Sequence, residues 1–322
     1  MPKKNQAIGI SDLTSSEGKL ERFTKLCKLL GSERRLTRDR IVALAKKRIG
    51  SPFHNEKVTE RHLAIMEKIG IIEKMDDIYV LSSEGKALYE LTAQVRKIGE
   101  LTFEERIFYF KMLFTSITKD QLVKLLEIIR DHEGDERKRI IGHFFRTNFA
   151  KSLWNRRVIE RNLIKLEEGQ IPSFFRNKFG CMEMWLRDLG LIRNLNGKIT
   201  LNSGARIFIT TISGKRDFKD EIYELAAVAL ETRAVEADYF KHRDKILQVF
   251  KEACLLFRTH ENMSDIRAIR TFTCIRLLAR GLKIEEKQFD EITKELWREG
   301  IIESIMTGRN GKPAYVVLSE SI

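Results

Sequence analysis

One pattern constrains the fold of this chain more than any other, and it occurs three times. Around Gly70 it runs His62-Leu63-Ala64-Ile65-Met66-Glu67-Lys68-Ile69-Gly70-Ile71-Ile72. Around Gly190 it runs Met182-Glu183-Met184-Trp185-Leu186-Arg187-Asp188-Leu189-Gly190-Leu191-Ile192. Around Gly300 it runs Ile292-Thr293-Lys294-Glu295-Leu296-Trp297-Arg298-Glu299-Gly300-Ile301-Ile302. The apolar residues of each recur at helical spacing, and glycine is the residue that ends a helix in a left-handed turn. Two aliphatics and a short strand-like run follow each time. Aligned on the glycines, the returning strands end on Leu81, Leu201 and Leu318. Identity between the copies is low, so they read as three units of one fold class rather than a solenoid array.

The other local signals place these units along the chain. Residues 1–18 are polar and read as a flexible N-terminal arm. A first unit spans 19–98. It has a helix over 19–31, a second from a Thr37 cap to Ile49, a third over 55–69, strands at 71–74 and 78–81, and a helix over 86–97. Residues 99–135 form a helical spacer. Two capping boxes open its helices, Thr102 with Glu105 and Thr118 with Gln121, because each acid or amide can reach back to the residue that caps the helix. Phe108 and Phe110 lie in a heavily apolar stretch there and read as core. A second unit spans 136–213, with Asn196-Gly197 as a tight hairpin turn. A spacer of long helices covers 214–260, and the third unit covers 261–322 with a longer ribbon. The expected fold is mainly α with short β-wings, as three units joined by helical spacers.

The charge balance bears on partners. The chain holds 59 Lys+Arg against 46 Asp+Glu, a formal charge of +13 over 322 residues, which favours an anionic partner. The excess is concentrated in 137–165, with Arg137, Lys138, Arg139, Arg146, Lys151, Arg156, Arg157, Arg161 and Lys165 among interleaved apolar residues. Such a segment can bury one side and offer phosphates the other. If half a dozen of these cations touch phosphate, affinity falls roughly a thousandfold between about 50 and 200 mM salt.

Enzymatic chemistry finds no foothold in the sequence, and the expectation is a protein that is not an enzyme and uses no cofactor. There is no phosphate-cradling glycine loop, zinc-protease helix or nucleophile elbow. Cys27, Cys181, Cys254 and Cys274 are scattered without a C-x-x-C pair and read as reduced thiols in or near cores. The segment Arg130-Asp131-His132-Glu133-Gly134-Asp135 reads as a solvated loop, with no metal assigned. No apolar run reaches membrane-spanning length, and the expected location is cytoplasmic, on the nucleoid in a prokaryote.

At Leu63–Leu81 with Ser83-Glu84-Gly85-Lys86, at Trp185–Leu201 and at Phe289–Leu318, the chain resembles winged helix-turn-helix proteins, in which a recognition helix is followed by a β-ribbon wing. The resemblance covers about half the chain and leaves out the spacers. It implies double-stranded DNA as partner, in transcription regulation or in the recognition component of a defence or mobile-element system. The alternative it allows is a protein-interaction adaptor in a larger nucleic-acid-processing complex.

The candidate DNA-binding residues follow from the unit geometry. In the first, Lys57, Arg61, Ala64 and Lys68 share a stripe opposite Val58, Ile65 and Ile69, and Thr59 and Glu60 lie near the helix N-terminus, within reach of bases if the helix enters the groove. In the second, Arg176, Asn177 and Lys178 lead the helix, with Arg187 behind them, and Arg137, Lys138, Arg139, Arg156, Arg157 and Arg161 hold phosphates. In the third, the helix 284–299 carries Glu285, Glu286, Asp290, Glu291 and Glu295, which repel phosphate. DNA contacts there fall to Arg309 and Lys312 in the wing, or to Arg267, Arg270, Arg276 and Arg280 before it. The acidic helix is then a candidate surface for a protein partner or self-association. A binder of single strands or RNA would instead need the interleaved aromatics exposed for stacking.

Overall fold

A computed structural model describes residues 18–33, 35–93, 100–147, 173–215, 217–259, 263–308 and 313–319. The fold is mainly α with small sheets of two or three strands, as the sequence leads one to expect. The first unit holds α1 (Leu20–Glu33), β1 (Leu36–Thr37), α2 (Arg38–Arg48), α3 (Glu56–Lys68), β2 (Ile72–Met75) and β3 (Ile78–Leu81), with strand order β1-β3-β2. Asn55 caps α3 by accepting from the Lys57 amide at 3.0 Å. Thr37 occupies the N-cap position of α2 but makes no side-chain capping bond.

Three helices connect this unit to the next: α4 (Ser83–Ala93), α5 (Phe103–Thr115) and α6 (Lys119–Asp131). Helix α4 starts three residues earlier than its apolar pattern predicts. The Ser82 hydroxyl accepts from the Gly85 amide at 3.0 Å and so caps it. The Thr102–Glu105 capping box is present in both directions. The second expected box is absent, because the Thr118 hydroxyl donates instead to the Leu113 carbonyl at 2.7 Å. Phe108 and Phe110 are fully buried, as expected of core.

The second unit comprises α7 (Arg137–Arg146), α8 (Ser173–Asp188), β4 (Ile192–Leu195), β5 (Lys198–Leu201) and α9 (Ser203–Ile212). Both turn residues between its strands are left-handed, Asn196 at φ 52° and Gly197 at φ 79°, as a two-residue hairpin turn requires. The next stretch forms one short helix and the long helix expected, with a break between them. Helix α10 (Ile222–Ala229) ends before Glu231, which sits at φ 57°. A two-residue strand, β6 (Val235–Glu236), precedes α11 (Tyr239–Leu256). The third unit follows with β7 (Met263–Asp265), α12 (Ile266–Ala279), β8 (Leu282–Lys283), α13 (Glu286–Arg298), β9 (Ile302–Thr307) and β10 (Pro313–Leu318). Its main sheet has the order β7-β10-β9, and β8 pairs in parallel with β6.

The repeat in sequence is a repeat in hydrogen bonding. Gly70, Gly190 and Gly300 all have left-handed backbones, at φ 83°, 79° and 73°. The amide after each donates back into its helix, Ile71 to Met66, Leu191 to Leu186 and Ile301 to Leu296, at 2.8, 2.9 and 2.9 Å. The first ribbon pair is also the same each time, with Ile72 opposite Leu81, Ile192 opposite Leu201 and Ile302 opposite Leu318. One residue past each returning strand, a polar side chain closes the junction by donating to the glycine carbonyl. These residues are Ser82, Asn202 and Ser319.

The buried apolar side chains form one continuous cluster from Leu20 to Val316. Polar contacts tie the units to one another across it. The Asp188 carboxylate at the end of α8 accepts from the Leu20 amide at 2.8 Å. Trp185 Nε1 donates to the Gly18 carbonyl at 2.6 Å, satisfying an indole that is otherwise enclosed. The end of the expected flexible arm, Gly18, is therefore buried against the second unit; residues 1–17 lie outside the described residues. At the other side, Asp265 caps α12 and also accepts from Ser83 Oγ and Lys86 Nζ of α4.

Candidate nucleic-acid interface

Helix α7 and the second ribbon meet through the backbone. The Arg137 amide donates to the Gly197 carbonyl at 2.9 Å, and Glu136 forms an isolated antiparallel bridge with Lys198. Ile140, Ile141, Phe144 and Phe145 of α7 are buried, which turns Lys138, Arg139 and Arg146 outward to solvent. The ribbon adds Arg193, Asn194 and Lys198, all exposed. Two elements distant in sequence thus meet at the start of α7, where Lys138 and Arg139 are exposed, and the ribbon that meets it exposes Arg193 and Lys198.

Arg137 has another role. Its Nε lies 2.7 Å from Glu183, and its guanidinium lies over the Phe179 ring. Glu183 is buried and also takes Arg187 at 2.6 Å. Both arginines are therefore engaged within the unit, where they neutralise a carboxylate removed from water.

The first unit departs from the expected stripe. Val58, Ile65 and Ile69 are buried as predicted, but so are Thr59 and His62, each at 0 % exposure. His62 packs against Phe23 and Phe53, with ring centroids 5.1 and 4.9 Å away. The core therefore takes a wider arc of α3 than the apolar pattern alone marks out, and Thr59 is unavailable to bases. Lys57 is exposed and Arg61 half-buried. The Lys68 ammonium nitrogen is shielded from solvent, which removes it from a groove-facing stripe. Glu60 pairs with Arg38 at 3.0 Å, and Arg38 at the start of α2 is an exposed cation that the stripe argument misses.

The acidic helix of the third unit is partly turned inward. Glu286 meets Lys111 at 2.7 Å and Arg270 at 3.4 Å, and Asp290 lies 3.7 Å from Arg270. Glu285 accepts from the Tyr223 and Glu224 amides at the start of α10. Burial pushes its carboxyl up to about 7, against those two hydrogen bonds. These acids thus serve as internal partners, which narrows the surface that the acidic helix offers to a partner. Arg276 is likewise held by Glu104 and Glu252, and Arg280 by Glu252, so neither offers an unencumbered cation to DNA. Arg267 is exposed.

The outgoing strands of the first two ribbons end in exposed apolar residues, Met75 at 61 % and Leu195 at 61 %, and Met306, one residue before the end of β9, is 46 % exposed. A ribbon tip buried in the protein's own core would not expose these side chains. Phe144 and Phe145, by contrast, are enclosed and unavailable for base stacking. Asn177 is half-buried. The side chains of Arg176 and Lys178, and residues Arg156, Arg157, Arg161, Arg309 and Lys312, lie outside the described residues.

The loop after α6 also differs from its sequence reading. The fold brings His143 of α7 onto it, stacked on His132 with ring centroids 3.6 Å apart and an interplanar angle of 12°. Asp135 Oδ2 lies 3.9 Å from both His132 Nδ1 and His143 Nε2. The four cysteines are buried and free, as expected. Among the described residues, no helix is long and apolar enough to cross a membrane.

No protein-family model matches the chain, and no curated protein matches it. Among solved structures it is similar to the restriction endonuclease FokI, with 14% identity and a TM-score of 0.33. The likeness covers 82% of this chain and 47% of that one, so the chain spans about half the length of that structure. A TM-score of this size assigns neither fold nor function.

Proposed function

We propose that this protein binds double-stranded DNA, and that its three helix–ribbon units are winged helices. The observation that carries the reading is the junction of α7 with the second ribbon. Lys138 and Arg139 are turned outward there, and the ribbon exposes Arg193 and Lys198. Cations held at fixed spacing by two packed elements neutralise successive phosphates and release condensed counterions. The exposed tips Met75 and Leu195 support the same reading, because apolar side chains on such tips can press into a minor groove.

Binding rather than catalysis is the proposed activity. Transcription regulation and DNA recognition within a defence or mobile-element system are the two roles that such an interface serves. The protein-adaptor reading draws less support, since Glu285, Glu286 and Asp290 are occupied within the chain.

Fluorescence anisotropy against a random duplex, its single strand and an RNA, over a salt series, tests the proposal. Duplex binding that weakens steeply with salt is the expected result. Absence of duplex binding at low salt would overturn it.

A further inference from the structure

We propose that His132, Asp135 and His143 form a binding site for a transition-metal dication, with zinc as the ion that fits the donor set. Two imidazole nitrogens and one carboxylate oxygen converge here within 4.8 Å of one another. The carboxylate oxygen is equidistant from the two nitrogens, at 3.9 Å. A tetrahedral ion with bonds of about 2.0–2.1 Å holds its ligand atoms roughly 3.4 Å apart, so the Asp135 oxygen need approach each nitrogen by only about half an ångström, while the stacked imidazoles turn out of parallel to aim both lone pairs at the ion.

The backbone presets this arrangement. His132 is the C-cap of α6, and the Asp135 amide donates to the His132 carbonyl at 3.1 Å, with Gly134 left-handed between them at φ 86°. His143 comes from the second turn of α7, where Ile140, Ile141, Phe144 and Phe145 fix the helix on the core. Glu133, between the two loop ligands, is anchored by an ion pair with Arg206 of α9. The ligands themselves are partly exposed, with side-chain accessibilities of 37%, 31% and 36% for His132, Asp135 and His143, which leaves an entry path.

The surroundings select the class of ion. Arg139 and Arg146 lie close enough to act electrostatically on the His143 ring. Those arginines also repel a cation held by charge alone. Affinity must then come from imidazole coordination, which suits zinc and its first-row neighbours and not calcium or magnesium. Three protein ligands leave at least one position open to water or to an external group.

Titration calorimetry of the untagged full chain with Zn2+ tests the site, with Mg2+ as control and circular dichroism to verify folding. The same samples loaded with Co2+ report the ligand set through visible ligand-field absorption. The expected result is one equivalent of Zn2+, no Mg2+ heat, and a Co2+ spectrum that needs the histidines. His143→Ala, His143→Gln and Asp135→Asn should each weaken Zn2+ by more than the roughly 10- to 100-fold that loss of an outer-shell partner costs. A folded wild type that binds no stoichiometric Zn2+, or a folded His132→Ala/His143→Ala variant that binds it as tightly as wild type, would overturn the proposal. Because neither readout involves DNA, the result is independent of the nucleic-acid reading.

Discussion

The Ser82 hydroxyl donates to the Gly70 carbonyl at 2.6 Å, joining the start of one helix to the end of another across twelve residues. The same hydroxyl accepts from the Gly85 amide at 3.0 Å, and the Ser82 amide donates to Ile71 at 3.1 Å. Asn202 repeats the arrangement with Gly190, at 2.7 Å, and with the Ala205 amide, at 2.5 Å. A single polar residue therefore locks helix end, ribbon and next helix together.

Removing that residue should weaken the unit it closes. Ser82→Ala leaves the buried Gly85 amide without its acceptor, and loss of such a cap costs about 1–2 kcal/mol. Asn202→Ala should fall in the same range. Urea denaturation of each variant measures this, and midpoints equal to wild type would show that the junction is held by the ribbon alone.

Gly85 has a steric reason to be glycine. A Cβ there would lie 2.0 Å from the Ile71 carbonyl oxygen. Backbone has to move to make room, so Gly85→Ala should destabilise by about 1–3 kcal/mol, in the range of overpacked cores. Gly142, whose Cβ would meet nothing within 4 Å, is the matched control, and Gly142→Ala should be tolerated. Equal losses at the two positions would contradict the steric account.

The cationic junction makes a prediction about salt. Reversing Lys138 and Arg139 to Glu should weaken duplex binding similarly across sequences. Each lost phosphate contact should reduce the slope of log affinity against log salt by about 1. Arg137→Ala should disturb folding more than binding, because Arg137 pairs with buried Glu183. Reversal of Arg156, Arg157 and Arg161 tests the rest of the basic stretch. Unchanged affinity in a folded variant would remove those three from the interface.

Glu285 gives stability a pH dependence of known sign. Its folded-state pKa of about 7 lies above the ordinary carboxylate value of 4.5. Between those values the folded chain holds more protons than the unfolded one. The contribution is greatest below the unfolded pKa and is lost as pH rises through about 7. Glu285→Gln keeps an acceptor for the Tyr223 and Glu224 amides without the charge. It should gain stability relative to wild type at pH 8, on the order of 1–3 kcal/mol. Denaturation midpoints at pH 5 and pH 8 test this. A variant that loses relative stability at pH 8 would show that the carboxylate is needed charged.

The sequence by itself determined the repeated helix, glycine and ribbon, because helical spacing, a left-handed stop and a period-two strand are local properties. It also marked the excess of basic charge. It could not show which charges remain free, since that depends on partners far away in the chain. The Lys68 ammonium was shielded from solvent, Arg270 and Glu286 found each other, and Arg137 found Glu183. Thr118 likewise chose the Leu113 carbonyl over its capping box. His143 joined a loop whose histidine and acids carried no metal signal on their own. Tertiary packing decided these because it sets both burial and distance. Burial makes an unpaired charge costly and distance decides which partner can answer it, and neither is a property of a residue's neighbours in sequence.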